Sequence, residues 1–418
     1  MFTIAEQLKL FNEFLSPGVI AEIVALSKLW ARLKKSDKIE AHGLYAKQKL
    51  MSAGGTSTRA SSNSGYPLAK SSTPQFHLVY MKRAQMFTMQ FDGFSLELAA
   101  KSGASMDPIE FEKKGLFITQ ADDLSRQLML AGAGDLCVVN GEVGAASDVV
   151  VVSSPYYADA TKFLKVGQIL DVYDGATIKV DSIAVKSIDS PTQFTFETRP
   201  DVIIPNGSVV KQEDVYTATE GAGLGEMMGL DGIIRATDPP APNASAGLQA
   251  LLVANDANWK CYVNSNGGVK RDLTEDLITA CMDEVDPFSR VSVLLATHKI
   301  RRVWASYLEN FKSLVNQKVM WGGWSGLPYI YDGKELALVP DKYVPDACLY
   351  GLDEAMLNLY VTKVGQEITW EKGDAGGILQ KVASKNEFVA EGHIFANLGT
   401  GFRKAVGFKL SDLNEPSS

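Results

Sequence analysis

Two periods of apolar residues alternate along the chain, and where one hands over to the other the elements can be read directly. Val291-Ser292-Val293-Leu294-Leu295-Ala296 is a short apolar run with strand character. Thr297 follows as an N-cap, and Arg301, Trp304, Leu308 and Phe311 continue at helical spacing, so the pattern predicts a strand that feeds a capped helix. Further on, Leu336-Ala337-Leu338-Val339 leads into Pro340-Asp341, then Val344-Pro345-Asp346, then Leu349-Tyr350. Pro fixes its own φ and Asp can bond the backbone two residues on, so each pair predicts a turn. Asp353 caps a short segment that ends in Leu357-Asn358-Leu359-Tyr360.

Near the start, Ser16-Pro17 opens a helix whose apolar side carries Ile20, Ile23, Val24 and Trp30, with Val19, Leu26, Leu29 and Leu33 beside them. Arg32, Lys34 and Lys35 suit its C-terminal dipole. Such a stripe needs a partner, which leaves a core helix, a membrane-surface helix or an arm on a neighbouring subunit. Ser52 to Gly65 is Gly/Ser/Thr-rich, lacks large apolar residues and predicts a flexible spacer. The next two extended segments carry Phe76, Leu78 and Tyr80, then Met86, Phe87, Met89, Phe91 and Phe94. That is more apolar surface than residues 1–105 can bury alone, which favours an arm completed on other subunits.

Asp107-Pro108-Ile109-Glu110 starts a helix, and after Gly115 a second helical stretch carries Leu124, Leu128 and Met129 before the glycines at 132 and 134. Between residues 154 and 214 short β runs are separated by Asp174-Gly175, Asp189-Ser190-Pro191 and Pro205-Asn206-Gly207, the spacing of a small barrel or sandwich. Thr274 caps a helix with an acidic first turn and Leu277, Ile278, Cys281 and Val285 on one side. Ile368 to Trp370, Gly377 to Val382, Phe388 to Phe395 and Ala405 to Leu410 read as strands, with Phe388, Ala390, Gly392, Ile394 and Ala396 on one face.

Composition narrows what these elements can do. Of 418 residues 46% are apolar, enough for more than one core. A net charge of −8 argues against gripping phosphate backbones as the main task. Cys137, Cys261, Cys281 and Cys348 are scattered, which predicts reduced thiols and no zinc or redox motif. No signal peptide or membrane span is legible, and the start at Met1 argues against a removed propeptide.

The stretch "ELALVPDKYVPDACLYGLDEAMLNLY", together with the order of the other elements, resembles major capsid proteins of tailed bacteriophages. The resemblance implies an α+β chain with the Hong Kong 97-type phage capsid fold. It implies an N-terminal arm (1–50), a flexible spacer and E-loop hairpin (51–105), and a peripheral domain with spine helix (106–153). An inserted small β-barrel or sandwich module (154–214), an axial domain (215–362) and return strands of the peripheral domain (363–418) follow. In that family the segment after Asp353 is a short apolar helix. The implied function is self-assembly, as hexamers and pentamers, into an icosahedral shell enclosing double-stranded DNA. Partners would be other copies of the chain, a portal, a separate scaffolding protein and a decoration protein, with DNA as a non-specific neighbour and no membrane. The scaffold is expected to be separate because the chain begins directly with the candidate arm helix. The alternatives are an encapsulin-like shell for protein cargo, or a soluble multidomain binding protein or enzyme with a β-barrel module.

Catalytic patterns are weak. His42, His77, His298 and His393 lack ligand spacing, and Gly221-Ala222-Gly223-Leu224-Gly225 has Met228 where a dinucleotide fingerprint needs its third glycine. Gly323-Trp324-Ser325-Gly326 falls one residue short of a nucleophile elbow. The acidic pairs Asp122-Asp123 and Asp283-Glu284 read as solvated helix faces. No enzyme activity, cofactor or metal is expected. The candidate assembly contacts are Ile23, Trp30, Phe76, Tyr80, Phe87, Phe91, Trp321, Trp324 and Tyr329.

Overall fold

The computed structural model describes residues 28–36, 45–50, 75–80, 84–92, 108–213, 226–240, 248–249, 251–254, 259–309, 327–361, 364, 368–371, 380–382 and 387–416. Its first sheet is built on the handover that the apolar pattern marks. Strand β12 (Val293–Ala296) is buried at every position, and Thr297 then caps the helix His298–Glu309, its Oγ1 accepting from the Ile300 amide at 3.1 Å. On one side β12 pairs in parallel with β14 (Lys334–Pro340), and on the other antiparallel with β15 (Leu349–Leu352). β13 (Leu327–Tyr331), β20 (Gly407–Leu410) and β11 (Tyr262–Asn264) complete the order β11-β20-β15-β12-β14-β13. The Pro-Asp turn between β14 and β15 forms as its residues require, with Asp341 Oδ1 accepting from the Tyr343 amide at 2.9 Å. The helix Glu275–Val285 packs Ile278, Cys281, Met282 and Val285 into this sheet's core, and Thr274 caps it through the Leu277 amide.

A second sheet gathers around β19 (Glu387–Thr400), whose face of Ala390, Gly392, Ile394 and Ala396 is buried as the alternation predicts. β4 (Ala84–Asp92) runs antiparallel along residues 387–395, while β17 (Ile368–Trp370), β18 (Gln380–Lys381) and β16 (Leu357–Val361) pair with other parts of it. β1 (Lys34–Ser36) adds to β16 in parallel, and β2 (Tyr45–Leu50) pairs separately with β3 (Gln75–Tyr80).

The third unit is a closed barrel, in order β10-β5-β6-β9-β8-β7. Its strands are β5 (Asp135–Val139), β6 (Val149–Ser153), β7 (Ile169–Asp174), β8 (Thr177–Ser190), β9 (Gln193–Phe196) and β10 (Val209–Gln212). The first two lie ahead of residue 154, where the sequence reading begins the module. Closure draws them in, because six strands joined in a ring leave no exposed edge.

Three local expectations are corrected. The helix from Pro108 does not stop at Gly115 and restart; it runs unbroken to Met129. A glycine there costs about 1 kcal/mol, which the buried stripe of Ala121, Leu124 and Leu128 outweighs. Lys34 and Lys35 do not sit at a helix C-terminus, since the helix ends at Arg32 and they continue as β1. Asp353 caps only the 3₁₀ turn Glu354–Met356, and Leu357–Val361 is a strand, not an apolar helix, because β19 and β1 flank it. Ser16 to Ser27, including the predicted helix start, lie outside the described residues.

The described helices are α1 (Lys28–Arg32), α2 (Pro108–Met129), α3 (Leu230–Ile233), α4 (Glu275–Val285) and α5 (His298–Glu309).

Candidate functional site

Buried charged groups lock the sheets and helices to one another. Arg403 is fully buried and donates to four main-chain carbonyls: Ile233 O at 2.7 Å, Trp259 O at 3.0 Å, Thr237 O at 3.0 Å and Gly232 O at 3.3 Å. It ties the end of β19 to α3. Asp231, 1% exposed, accepts from Tyr350 Oη at 3.0 Å and from Lys409 Nζ, with Arg235 at 3.7 Å, and so joins α3 to both β15 and β20. Glu415 accepts from Thr297 Oγ1 at 2.7 Å and from the Ala347 amide at 2.9 Å, which fixes the start of α5 against the turn before β15.

The barrel is anchored to the same body. Tyr157 Oη donates to Tyr343 O at 2.6 Å, and Phe163 stacks on Tyr343 at 6.3 Å. Asp122, expected on a solvated face, is half-buried and accepts from Tyr343 Oη at 2.6 Å and Lys342 Nζ at 3.0 Å. Burial alone would raise its carboxyl, but those two bonds and the lysine charge hold it below the usual range. Asp123 is buried and accepts from Arg126. The solvated-face expectation therefore fails at 122–123, because α2 turns that side toward the barrel joint, and holds at Asp283-Glu284, both exposed.

The expected assembly residues are distributed as follows. Trp30 is 1% exposed and packs in the chain's own core beside Leu29 and Leu33, with Lys35 Nζ 5.5 Å above its ring. Tyr329 is 3% exposed, stands edge-on to Trp304 and bonds Thr279 Oγ1 at 2.8 Å. Both therefore spend their apolar surface within the chain. Phe76 and Tyr80 lie on β3 opposite Lys49 and Tyr45, and Phe87 and Phe91 on β4 opposite Gly392 and Phe388. Ile23, Trp321 and Trp324 lie outside the described residues.

Sequence reasoning missed the apolar side chains that do face outward. Val149 and Val151 alternate with buried Val150 and Val152 on β6, and Ile169, Ile178 and Ile188 are exposed elsewhere on the barrel. Ile330, 68% exposed, sits on β13 at the end of its sheet. The period-two alternation at 149–153 was a usable signal.

All four cysteines are buried free thiols, and burial pushes Cys137 and Cys261 up to about 12 and Cys281 and Cys348 up to about 11. A neutral reagent that traps thiolate should therefore modify none of them in the folded protein and all of them in denaturant. Fast labelling of native protein, followed by mass spectrometry, would contradict the packing. Among the described residues, no three His, Cys, Asp or Glu side chains converge to hold a metal, and no helix is long and apolar enough to cross a membrane.

No protein-family profile matches the sequence, and no curated protein matches it. Solved structures do. A subunit of the cyanophage A-1(L) capsid is 12% identical, with 93% of each chain covered and a TM-score of 0.52. A Mycobacterium phage Bobi structure is 8% identical, covering 94% of this chain and 91% of the other at a TM-score of 0.44. A Synechococcus elongatus encapsulin is also 8% identical, with the same coverage and a TM-score of 0.42. With 93% of both chains matched, the chain carries the fold of the cyanophage A-1(L) capsid subunit.

Proposed function

We propose that the chain is the major capsid protein of a tailed phage, and that copies of it close into an icosahedral shell around double-stranded DNA. The observation that carries this reading is the match to the cyanophage capsid subunit, which covers 93% of both chains. In this reading residues 1–50 form the arm, 51–105 the spacer and E-loop, and α2 the spine helix. The barrel is the inserted module, 215–362 the axial domain and 363–418 the returning strands. Hexamers and pentamers are the building units, and a separate scaffolding protein, a portal and a decoration protein are the partners. The chain contributes geometry and no catalysis. Phe76, Tyr80, Phe87 and Phe91, on strands from the part of the chain that overlaps neighbours in this reading, remain assembly contacts, as do Ile23, Trp321 and Trp324. Trp30 and Tyr329 act from within, by holding the body that presents them.

Negative-stain electron microscopy of the purified protein across concentration and salt tests the proposal. Closed shells, or rings of five and six subunits, are the expected images. Monomers or dimers that never assemble would refute it, and cargo protein in place of nuclease-resistant DNA inside native particles would redirect it to the encapsulin reading.

A further inference from the structure

Asn-Gly occurs three times in the chain, at 140–141, 206–207 and 266–267. The pair is chemically labile, because a glycine nitrogen has no side chain beside it and can reach the Cγ of the asparagine before it. The reaction needs that nitrogen free of its proton, so an amide already donating to an oxygen is held back. Two of the three pairs are held in this way. The Gly141 amide donates to Asn206 Oδ1 at 2.8 Å, and the Gly207 amide donates to Val139 O at 2.9 Å. The first of these bonds also fixes the Asn206 side chain, so it restrains both pairs.

The third pair is built differently. Asn266 opens a tight turn, closed by the Val269 amide donating to Asn266 O at 3.2 Å, with Gly267 at φ +63° and Gly268 at φ +85°. The amides of Asn266 and Gly268 converge on Asp412 Oδ2, at 2.7 and 3.1 Å. The Gly267 amide between them has no acceptor among the described residues, and both residues of the pair are exposed. Asn266 Nδ2 donates to Val269 O at 2.8 Å, which ties the side chain to its own turn. The loop that carries this turn also holds the C-terminal segment: the Ser411 amide donates to Asn264 O at 3.0 Å, the Arg271 amide to Asp412 O at 2.8 Å and the Asn414 amide to Arg271 O at 2.8 Å.

We propose that Asn266-Gly267 is a self-modification site whose reaction releases residues 411–414 from the loop between β11 and α4. The Gly267 nitrogen forms a bond to Asn266 Cγ and the Cγ–Nδ2 bond breaks. The proton of the Gly267 amide passes through water to the leaving Nδ2, which departs as ammonia. Water then opens the cyclic imide at either carbonyl and leaves aspartate or isoaspartate, with no oxidant or reductant required. Either product adds a carboxylate to a turn whose amides already bind the carboxylate of Asp412, and like charges so close repel. Isoaspartate also lengthens the main chain by a carbon, so the amides of residues 266 and 268 no longer converge on Asp412 Oδ2.

Peptide mapping by mass spectrometry, on full-length protein incubated at mildly alkaline pH, tests the site. Loss of the side-chain amide should be roughly three- to tenfold faster at Asn266 than at Asn140 and Asn206, the factor set by breaking one hydrogen bond. In denaturant the three rates should converge. Equal or faster loss at Asn140 or Asn206 in the folded protein, or the same ranking kept in full in denaturant, would overturn the assignment. Hydrogen–deuterium exchange tests the release: in the reacted protein the Arg271 and Asn414 amides should exchange roughly three- to tenfold faster than in fresh protein, while the β12 amides are unchanged. Asn266→Gln, whose longer side chain disfavours the cyclic imide, should keep the protection of fresh protein through the same incubation. Unchanged exchange at Arg271 and Asn414 after reaction, or equal loosening of incubated Asn266→Gln, would overturn the release.

Discussion

Arg403→Ala is expected to be among the most damaging single substitutions in the chain, shifting the unfolding equilibrium by about 4 kcal/mol or more. Arg403 is 0% exposed, and its guanidinium satisfies carbonyls from Gly232, Ile233, Thr237 and Trp259 that water cannot reach once the core has closed. Each carbonyl left without a donor costs about 1–3 kcal/mol, and the truncation also leaves a cavity against α3. Whole domains are stable by only about 5–15 kcal/mol, so the variant should be largely insoluble or unfold at a sharply lower urea concentration. Arg403→Lys should recover only part of the loss, because an ammonium is a point donor and cannot span four carbonyls as the planar fork does. If urea denaturation placed Arg403→Ala within about 1 kcal/mol of wild type, the carbonyl clamp would not be what holds β19 to α3.

Gly407→Ala is expected to be nearly as severe, for a different reason. Gly407 has φ +138°, and a Cβ added there would lie 1.9 Å from Gly351 O. Neither backbone can retreat, since Gly407 faces Leu352 and Gly351 faces Phe408 in the ladder between β20 and β15. The strand pair would have to separate, at a cost of about 3–5 kcal/mol. Gly141→Ala separates clash from strain: φ is +98° there too, yet a Cβ would meet nothing within 4 Å. That variant should lose about 1–2 kcal/mol. Thermal unfolding of the two variants side by side decides the matter, and equal losses would show that close approach in the sheet is not the cause.

The residues that announced themselves in the sequence are those whose chemistry acts locally. Thr274 and Thr297 cap helices where a hydroxyl precedes an apolar repeat, and Asp341 makes its turn, because each needs only its near neighbours. What stayed hidden depends on partners far along the chain. Gly115 looks like a break until the buried stripe of α2 is seen to carry the helix through it. Arg126 and Arg403 look like surface residues until their partners, 100 and about 170 positions away, arrive in space. Trp30 and Tyr329 show the same limit from the apolar side: the pattern says that they are buried, but not whether their own chain or a neighbour covers them.

The position of β19 also governs the order of folding. The barrel joins residues 135–212 by local pairings and can form early. Strand β4 cannot be completed locally: the side-chain bond from Gln90 to Glu387 spans 297 positions, and at α1 the bond from Arg32 to Glu354 spans 322. Contacts so distant close late, after the entropy of a very long loop has been overcome. On the ribosome β4 must therefore wait, unpaired with β19, until that strand emerges, and in that interval it is open to pairing with another nascent copy.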